Sequence, residues 1–344
     1  MIYDPKLKNC RDITSEDIKR VEIKGSPLTE ITLKLLTTCN FRCPYCVVSN
    51  NNDKRLIKPN YKNICTTFEN LRSLVEYHKQ ITGETKYIIQ LHGGEPTILN
   101  LSSLIKCADL HDVTYRFMTN LSKPVSYFKE MKEICDKLDC SIDITASWHS
   151  IEYMKKCGNG NVDDFINKIS EIEKFCNIRI TTVINKDTVE LTKEMCEKAF
   201  QKLKKTKIQI KIDKSLAENI DDSVKRTFLF LKEKYAPGND NGNETVVTFK
   251  DNRISSGGLN DLIFSIKKIK DISFKDYYCS TLSDFKRLII RVDDGNIYCC
   301  FNAQKENNIG NILTKDFNFL TNSIARKCEN NRCSLSLRKG EIYV

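Results

Sequence analysis

Thr38-Cys39-Asn40-Phe41-Arg42-Cys43-Pro44-Tyr45-Cys46 carries the strongest single signal in this chain. Its three thiols, separated by gaps of three and two residues, can converge on one cluster and leave one iron without a protein ligand. Closed structural zinc and iron-sulfur sites take four protein ligands, and no His or further Cys lies close enough in sequence to complete this one locally. Cys65 is the nearest downstream thiol. A metal with an open position implies chemistry; the competing reading is a zinc knuckle that borrows a distant fourth ligand.

Working outward, the apolar segment Tyr87-Ile88-Ile89-Gln90-Leu91-His92 runs into Gly93-Gly94-Glu95-Pro96. Two glycines allow backbone to approach a ligand closely, and Glu95 offers acceptors to an ammonium group. An ordinary strand-ending turn would also account for Gly-Gly and Pro. Taken together, the CxxxCxxC run, with aromatic Tyr45 before its third Cys, and the Gly-Gly-Glu-Pro run resemble the signatures of the radical S-adenosylmethionine (SAM) superfamily. The resemblance implies that Cys39, Cys43 and Cys46 hold a 4Fe-4S cluster whose free iron is chelated by the amino and carboxylate groups of SAM. It implies further that Gly93, Gly94, Glu95 and Pro96 end the second barrel strand and bind the SAM amino group, with Tyr45 in the same cofactor site. One electron would then cleave the sulfonium to a 5′-deoxyadenosyl radical that takes a hydrogen from substrate, with the cofactors carrying the difficult chemistry.

At 344 residues the chain can bury one large core or two modest ones. No basic segment followed by an apolar one opens it, and no apolar run approaches the ~20 residues needed to span a bilayer, so a soluble, cytoplasmic protein without membrane association is expected. In a reducing compartment its sixteen cysteines point to metal ligation more than to disulfides, and oxygen sensitivity should follow. The formal charge of +10 omits cluster thiolates. Two clusters carrying about −1 and −2 would leave roughly +7. The densest basic stretch, lysines 202, 204, 205, 207, 211 and 214, reads as a solvated helix end passing into a strand, which disfavours nucleic acid as partner.

From Ile31 to Asp213 strand-like runs alternate with helical patterns, the rhythm of βα units around a parallel sheet. Strands are expected near 31–37, 86–92, 113–119, 141–147, 178–185 and 207–213, with helices including 67–80, 126–138, 162–175 and 191–205. Six such units are too few for a closed eight-stranded barrel, but they match the partial (β/α)6 TIM-type barrel that the resemblance implies, an α/β fold. Polar residues alternate with apolar ones in Asp143, Thr145 and Ser147, and again in Gln209, Lys211 and Asp213, which puts them on one face. That face reads as the wet lining of an open barrel or as an ordinary half-exposed sheet. Catalytic groups in such barrels collect at the carboxyl ends of strands. The candidates there are Asn120 and Ser147, which the resemblance assigns to SAM's ribose and carboxylate, and His149, a substrate acid or base or else a histidine satisfied by a neighbouring carbonyl.

A helix near 223–235 runs into Ala-Pro-Gly-Asn-Asp-Asn-Gly-Asn, a connector, which divides the chain into an extension (1–30), the barrel (31–215), the connector (216–275) and a C-terminal region (276–344). Cys279, Cys299, Cys300, Cys328 and Cys333 fall in that last region, where Asp294-Gly295 makes a hairpin turn. The eight remaining thiols are scattered, mostly in helix-like surroundings. The region resembles the SPASM/twitch extension of radical SAM enzymes, in its short single-cluster form, through Cys279, Asp294 to Cys300, Ile309-Gly310-Asn311-Ile312, Cys328 and Cys333. The resemblance implies a small α+β domain with a second, auxiliary 4Fe-4S cluster on Cys279, Cys300, Cys328 and Cys333, with Cys299 as the spare or the substitute. A four-Cys structural zinc site is the alternative.

The expected function is therefore a SAM-radical enzyme, oxidoreductase or epimerase-like, taking electrons from a flavodoxin or ferredoxin-type donor. About thirty residues precede the first strand, too few for an added leader-binding module, which tilts the substrate toward a small molecule such as a carbohydrate derivative. A peptide-modifying maturase is the second reading, and a non-catalytic iron-sulfur sensor or scaffold the third.

Overall fold

The computed structural model describes residues 2–4, 9–11, 29–41, 43, 46, 60–148, 161–212, 221–235, 247–248, 287–298 and 308–317. In chain order the elements begin with β1 (Ile2–Asp4), β2 (Asn9–Arg11), β3 (Thr29–Leu36), α1 (Tyr61–Thr82), β4 (Tyr87–Gly93), α2 (Leu101–Ala108), β5 (Val113–Thr119) and α3 (Val125–Lys137). They continue with β6 (Ser141–Trp148), α4 (Val162–Ile172), β7 (Asn177–Ile184), α5 (Val189–Lys202), β8 (Lys207–Ile212) and α6 (Asp222–Tyr235). The short strands β9 (Val247–Thr248), β10 (Arg287–Arg291), β11 (Asn296–Tyr298) and β12 (Gly310–Asn311) complete the set. They fall into two compact units interleaved in sequence, one of residues 1–34, 60–90 and 265–344, the other of 35–59 and 91–264.

In the second unit β5, β6, β7 and β8 run parallel in sequential order, and β9 closes the row antiparallel to β8. The alternation of β6 explains its two faces. Ile142, Ile144, Ala146 and Trp148 are buried, with the Trp148 ring 4.9 Å from that of Phe165 on α4. Asp143, Thr145 and Ser147 share the other face. There Arg116 pairs with Asp143 at 3.0 Å and Arg179 donates to Thr145 Oγ1 at 2.7 Å, lateral bonds between neighbouring strands in register. Helix α4 begins where Asn161 Oδ1 accepts from Asp164 N at 2.9 Å and buries Phe165, Ile166, Ile169 and Ile172, one apolar stripe at helical spacing.

In the first unit the order is β12-β11-β10-β3-β4, with β10 parallel to β3 and β11 returning antiparallel. Gly295 makes the expected hairpin turn with φ 74°, and a Cβ there would meet Leu313 Cγ at 2.5 Å. Asn311 holds the turn by donating to Asp294 O at 2.9 Å and Asn296 Oδ1 at 3.0 Å. Two asparagines of α1 dock the same region: Asn63 donates to Asp293 O at 2.7 Å and buried Asn70 to Ile312 O at 2.9 Å. Among the described residues no helix is long and apolar enough to cross a membrane.

Candidate functional site

The cysteine run leaves the carboxyl end of β3 and is tied, inside the second unit, to the turn that ends β4. Gly94 N donates to Leu36 O at 2.9 Å and Glu95 N to Thr38 O at 3.0 Å, so the residue before Cys39 is fixed by backbone. This contact explains both glycines. A Cβ on Gly93 would stand 2.3 Å from Leu36 O, and one on Gly94 2.0 Å from Thr38 O, distances that no side chain tolerates. The close approach expected from the sequence is thus made, at least in part, to the cysteine run's own backbone.

Glu95 is 2% exposed and faces inward. Its Oε1 accepts from Thr97 N at 3.1 Å and Thr97 Oγ1 at 2.6 Å, capping the short 3-10 turn Pro96–Ile98, while Oε2 accepts from Asn120 N at 2.7 Å. Burial pushes its carboxyl above the usual range, and the hydrogen bonds from Thr97, Asn120 and Thr119 pull against that shift. Asn120, at the end of β5, is also buried, with Nδ2 donating to Asn40 Oδ1 at 2.7 Å. Asn40 Nδ2 donates in turn to Ser122 Oγ at 3.0 Å, and Ser122 N returns to Asn120 Oδ1 at 3.1 Å. Between them Leu121 takes φ 55°, its N–H donating to Thr119 Oγ1 at 3.1 Å and its carbonyl accepting from Lys168 Nζ at 2.9 Å. Asn40, Thr97 and Ser122 were not singled out by the sequence reading; the signal for Asn40 was its place directly after a candidate ligand.

Cys39, Cys43 and Cys46 are thiols outside any disulfide, the second buried and the other two half-buried. Phe41 N donates to Cys39 Sγ at 3.3 Å, and a turn is closed by Cys46 N on Cys43 O at 3.1 Å. Among the described residues no three His, Cys, Asp or Glu side chains are gathered as a metal-binding group. Ligation and loop closure are coupled in such sites, since ligands must deprotonate and draw together as the metal enters. Three thiolates on one loop, with no harder donor among them, suit an iron-sulfur cluster in donor chemistry.

Ser147 is buried on the polar face of β6, in register with Thr181 of β7, whose Oγ1 is buried without a hydrogen-bond partner. A cavity of about 690 Å3 lined by Arg116, Lys132, Asp143, Glu173, Arg179 and Lys207 opens at the amino ends of these strands, away from the cysteine loop, and is not the candidate site. Tyr45, His149, Cys279, Cys299, Cys300, Cys328 and Cys333 lie outside the described residues.

No protein-family model and no curated protein matches the chain. Solved structures do. One described as "Native anSMEcpe with bound AdoMet and Cp18Cys peptide" superposes with a TM-score of 0.52 at 16% identity, covering 92% of this chain and 85% of that one. Another, "Native anSMEcpe with bound AdoMet", gives 0.51 at 17% identity over 86% and 81%. The chain shares with these AdoMet-bound structures an α/β fold of alternating strands and helices around a parallel sheet. In this fold the loop after β3 and the turn after β4 are the two segments joined by the Gly94 and Glu95 backbone bonds.

Proposed function

We propose that this chain is a radical SAM enzyme. In this reading Cys39, Cys43 and Cys46 hold a 4Fe-4S cluster, and SAM binds beside it against Gly93, Gly94, Glu95 and Pro96, with Tyr45, Asn120 and Ser147 contributing. The observation that carries the reading is the backbone bonding of the three-thiol loop to the Gly-Gly-Glu turn, at 2.9 and 3.0 Å, in a fold shared with AdoMet-bound proteins. When bound, the cluster and SAM supply one-electron cleavage of a sulfonium and abstraction of a substrate hydrogen atom. The chain's own residues position that chemistry: backbone fixes the cysteine loop, the buried Glu95 carboxylate holds the end of β5 against the turn, and His149 serves as acid or base toward substrate. Cys279, Cys300, Cys328 and Cys333, with Cys299 as substitute, hold a second cluster, and a flavodoxin or ferredoxin-type protein supplies electrons.

The substrate is read as a small molecule such as a carbohydrate derivative that is dehydrogenated or epimerised. A peptide substrate is the second reading, favoured by the neighbouring fold having been solved with a peptide. Anaerobic reconstitution with iron and sulfide, then dithionite and SAM, tests the core of the proposal. The wild-type chain should release 5′-deoxyadenosine, and the triple variant Cys39→Ala/Cys43→Ala/Cys46→Ala should lose about four irons and all cleavage. Full iron in that variant would overturn the N-terminal ligand assignment, and no 5′-deoxyadenosine from the wild type with either substrate class would leave the sensor reading in its place. Cys328→Ala should lower iron only at the second site.

A further inference from the structure

Asn40 is an exposed residue, and an exposed asparagine ordinarily spends its amide on water. Here both ends of the amide are engaged by residues some 80 positions away: Oδ1 by Asn120 Nδ2 at 2.7 Å and Nδ2 by Ser122 Oγ at 3.0 Å. The ring is closed by Ser122 N on Asn120 Oδ1 at 3.1 Å, and Asn120 N is anchored on the buried Glu95 carboxylate at 2.7 Å. Every side-chain donor and acceptor in this circuit is a short polar group, and Leu121 between Asn120 and Ser122 stands at φ 55°. Thr38 is fixed from the other side by Glu95 N, and Phe41, 4% exposed, buries its ring one residue beyond. Cys39 therefore lies in a segment pinned at 38, 40 and 41.

We propose that Asn40, Asn120 and Ser122 form a clasp that orders the cysteine loop against the end of β5 before any metal enters, with Asn40 the positioning residue for Cys39. Fixing the backbone of a loop costs conformational entropy at each residue. A clasp that meets this cost in the apoprotein lowers what ligation must supply. The clasp does not touch a reacting atom, and its link to a cluster rests on the radical SAM reading.

Two measurements separate the clasp from that reading. In the apoprotein under reducing conditions, maleimide labelling of Cys39 followed by peptide mass spectrometry should run about 5- to 30-fold faster in Asn40→Ala than in the wild type, the range expected for losing two modest hydrogen bonds. After reconstitution, chelator-driven iron loss should accelerate to a similar degree. Asn40→Asp keeps the acceptor for Asn120 and can receive the Ser122 hydroxyl, so it should restore most of the slow labelling. Thr114→Ala, which removes a Thr114–Ser141 contact of 2.8 Å at the amino ends of β5 and β6, should leave both rates unchanged. The double variant Asn40→Ala/Ser122→Ala should be no faster than Asn40→Ala alone, as expected for residues acting as a unit. Wild-type labelling in Asn40→Ala, or additive effects in the double variant, would overturn the clasp. A wild-type chain that takes up no iron would overturn the enzyme reading instead, and the labelling result would still decide the clasp.

Discussion

Replacing Gly94 with Ala is the most direct challenge to the way this site is assembled. The added Cβ would lie 2.0 Å from Thr38 O, 2.5 Å from Thr38 C and 2.8 Å from Thr37 O, all backbone atoms. Ordinary carbon contacts begin near 3.5 Å, so the run leading to Cys39 must retreat by more than about 1 Å. Such a retreat breaks Gly94 N–Leu36 O and Glu95 N–Thr38 O, the two bonds at 2.9 and 3.0 Å. Each is worth about 1 kcal/mol net and more if a buried group is orphaned, which gives roughly 2–4 kcal/mol in total. For a chain of this size that corresponds to a fall of about 3–6 °C in the thermal midpoint of the apoprotein, read by calorimetry. Iron retained after reconstitution should fall with it. Gly83→Ala supplies the control. Gly83 has φ 71° at the C-cap of α1 and open space around its Cβ, so the cost is the left-handed backbone alone, about 1 kcal/mol, and iron should be unaffected. If Gly94→Ala matches Gly83→Ala in midpoint and loads iron normally, the proposed coupling between turn and loop is wrong.

Glu95 gives a prediction in pH. Its folded-state carboxyl is raised by burial, so its contribution to stability is fully present below the unfolded-state value and is lost as pH rises through the folded one. The urea-unfolding free energy of the wild type should therefore decline more steeply with rising pH across the weakly acidic range than that of Glu95→Gln; parallel curves would refute the assignment. Phe165→Ala, removing a fully buried ring packed on Trp148, should cost about 3–5 kcal/mol in the same assay, and a loss below about 1 kcal/mol would contradict the helix-facing role of that side of β6. Asn70→Ala should leave the Ile312 carbonyl with only its longer bond from Lys315 N at 3.4 Å, at a cost of about 1 kcal/mol, and raise amide exchange in residues 310–312 by mass spectrometry, and unchanged exchange would free β12 from dependence on α1.

The barrel strands were legible because each carries its own signal. Period-two alternation placed β6 at 141–147 against an observed Ser141–Trp148, and the remaining five barrel strands lie within two residues of their expected limits. Helix α1 begins at Tyr61, six residues before the expected start, because Asn60 caps it by accepting from Asn63 N at 3.2 Å, a local bond no apolar periodicity announces. Helix α2 fills the interval between the second and third barrel strands as the alternation implies, but its start is set by Asn100 accepting from Ser103 N at 3.1 Å, again a local bond that no periodicity announces. The hairpin of β10 and β11 could be read from Asp294-Gly295, whereas the parallel pairing of Leu288 with Ile31 joins residues with no shared local pattern. Among site residues, the thiols and Gly93-Gly94 announced themselves by type and spacing. What the glycines approach could not be read, since Leu36 and Thr38 lie far back along the chain.

The hydrogen-bond ledger of Glu95 bears on how the proposed site would meet an ammonium group. Three donors already occupy the carboxylate, two from Thr97 and one from Asn120. Turning it toward a ligand would strand those donors in a buried setting, at about 1–3 kcal/mol for each one left without an acceptor. The carboxylate can act on a nearby cation through its charge and its remaining lone pairs while keeping its post. Its larger contribution is then to position: it joins the β4 turn to the end of β5, from which Asn120 reaches Asn40 in the cysteine loop. On this argument Glu95→Gln, which offers only one carbonyl oxygen where two were used, should raise Cys39 labelling in the apoprotein as well as weaken any ligand, and a variant that weakens SAM binding with loop order intact would show the charge to be the whole of its role.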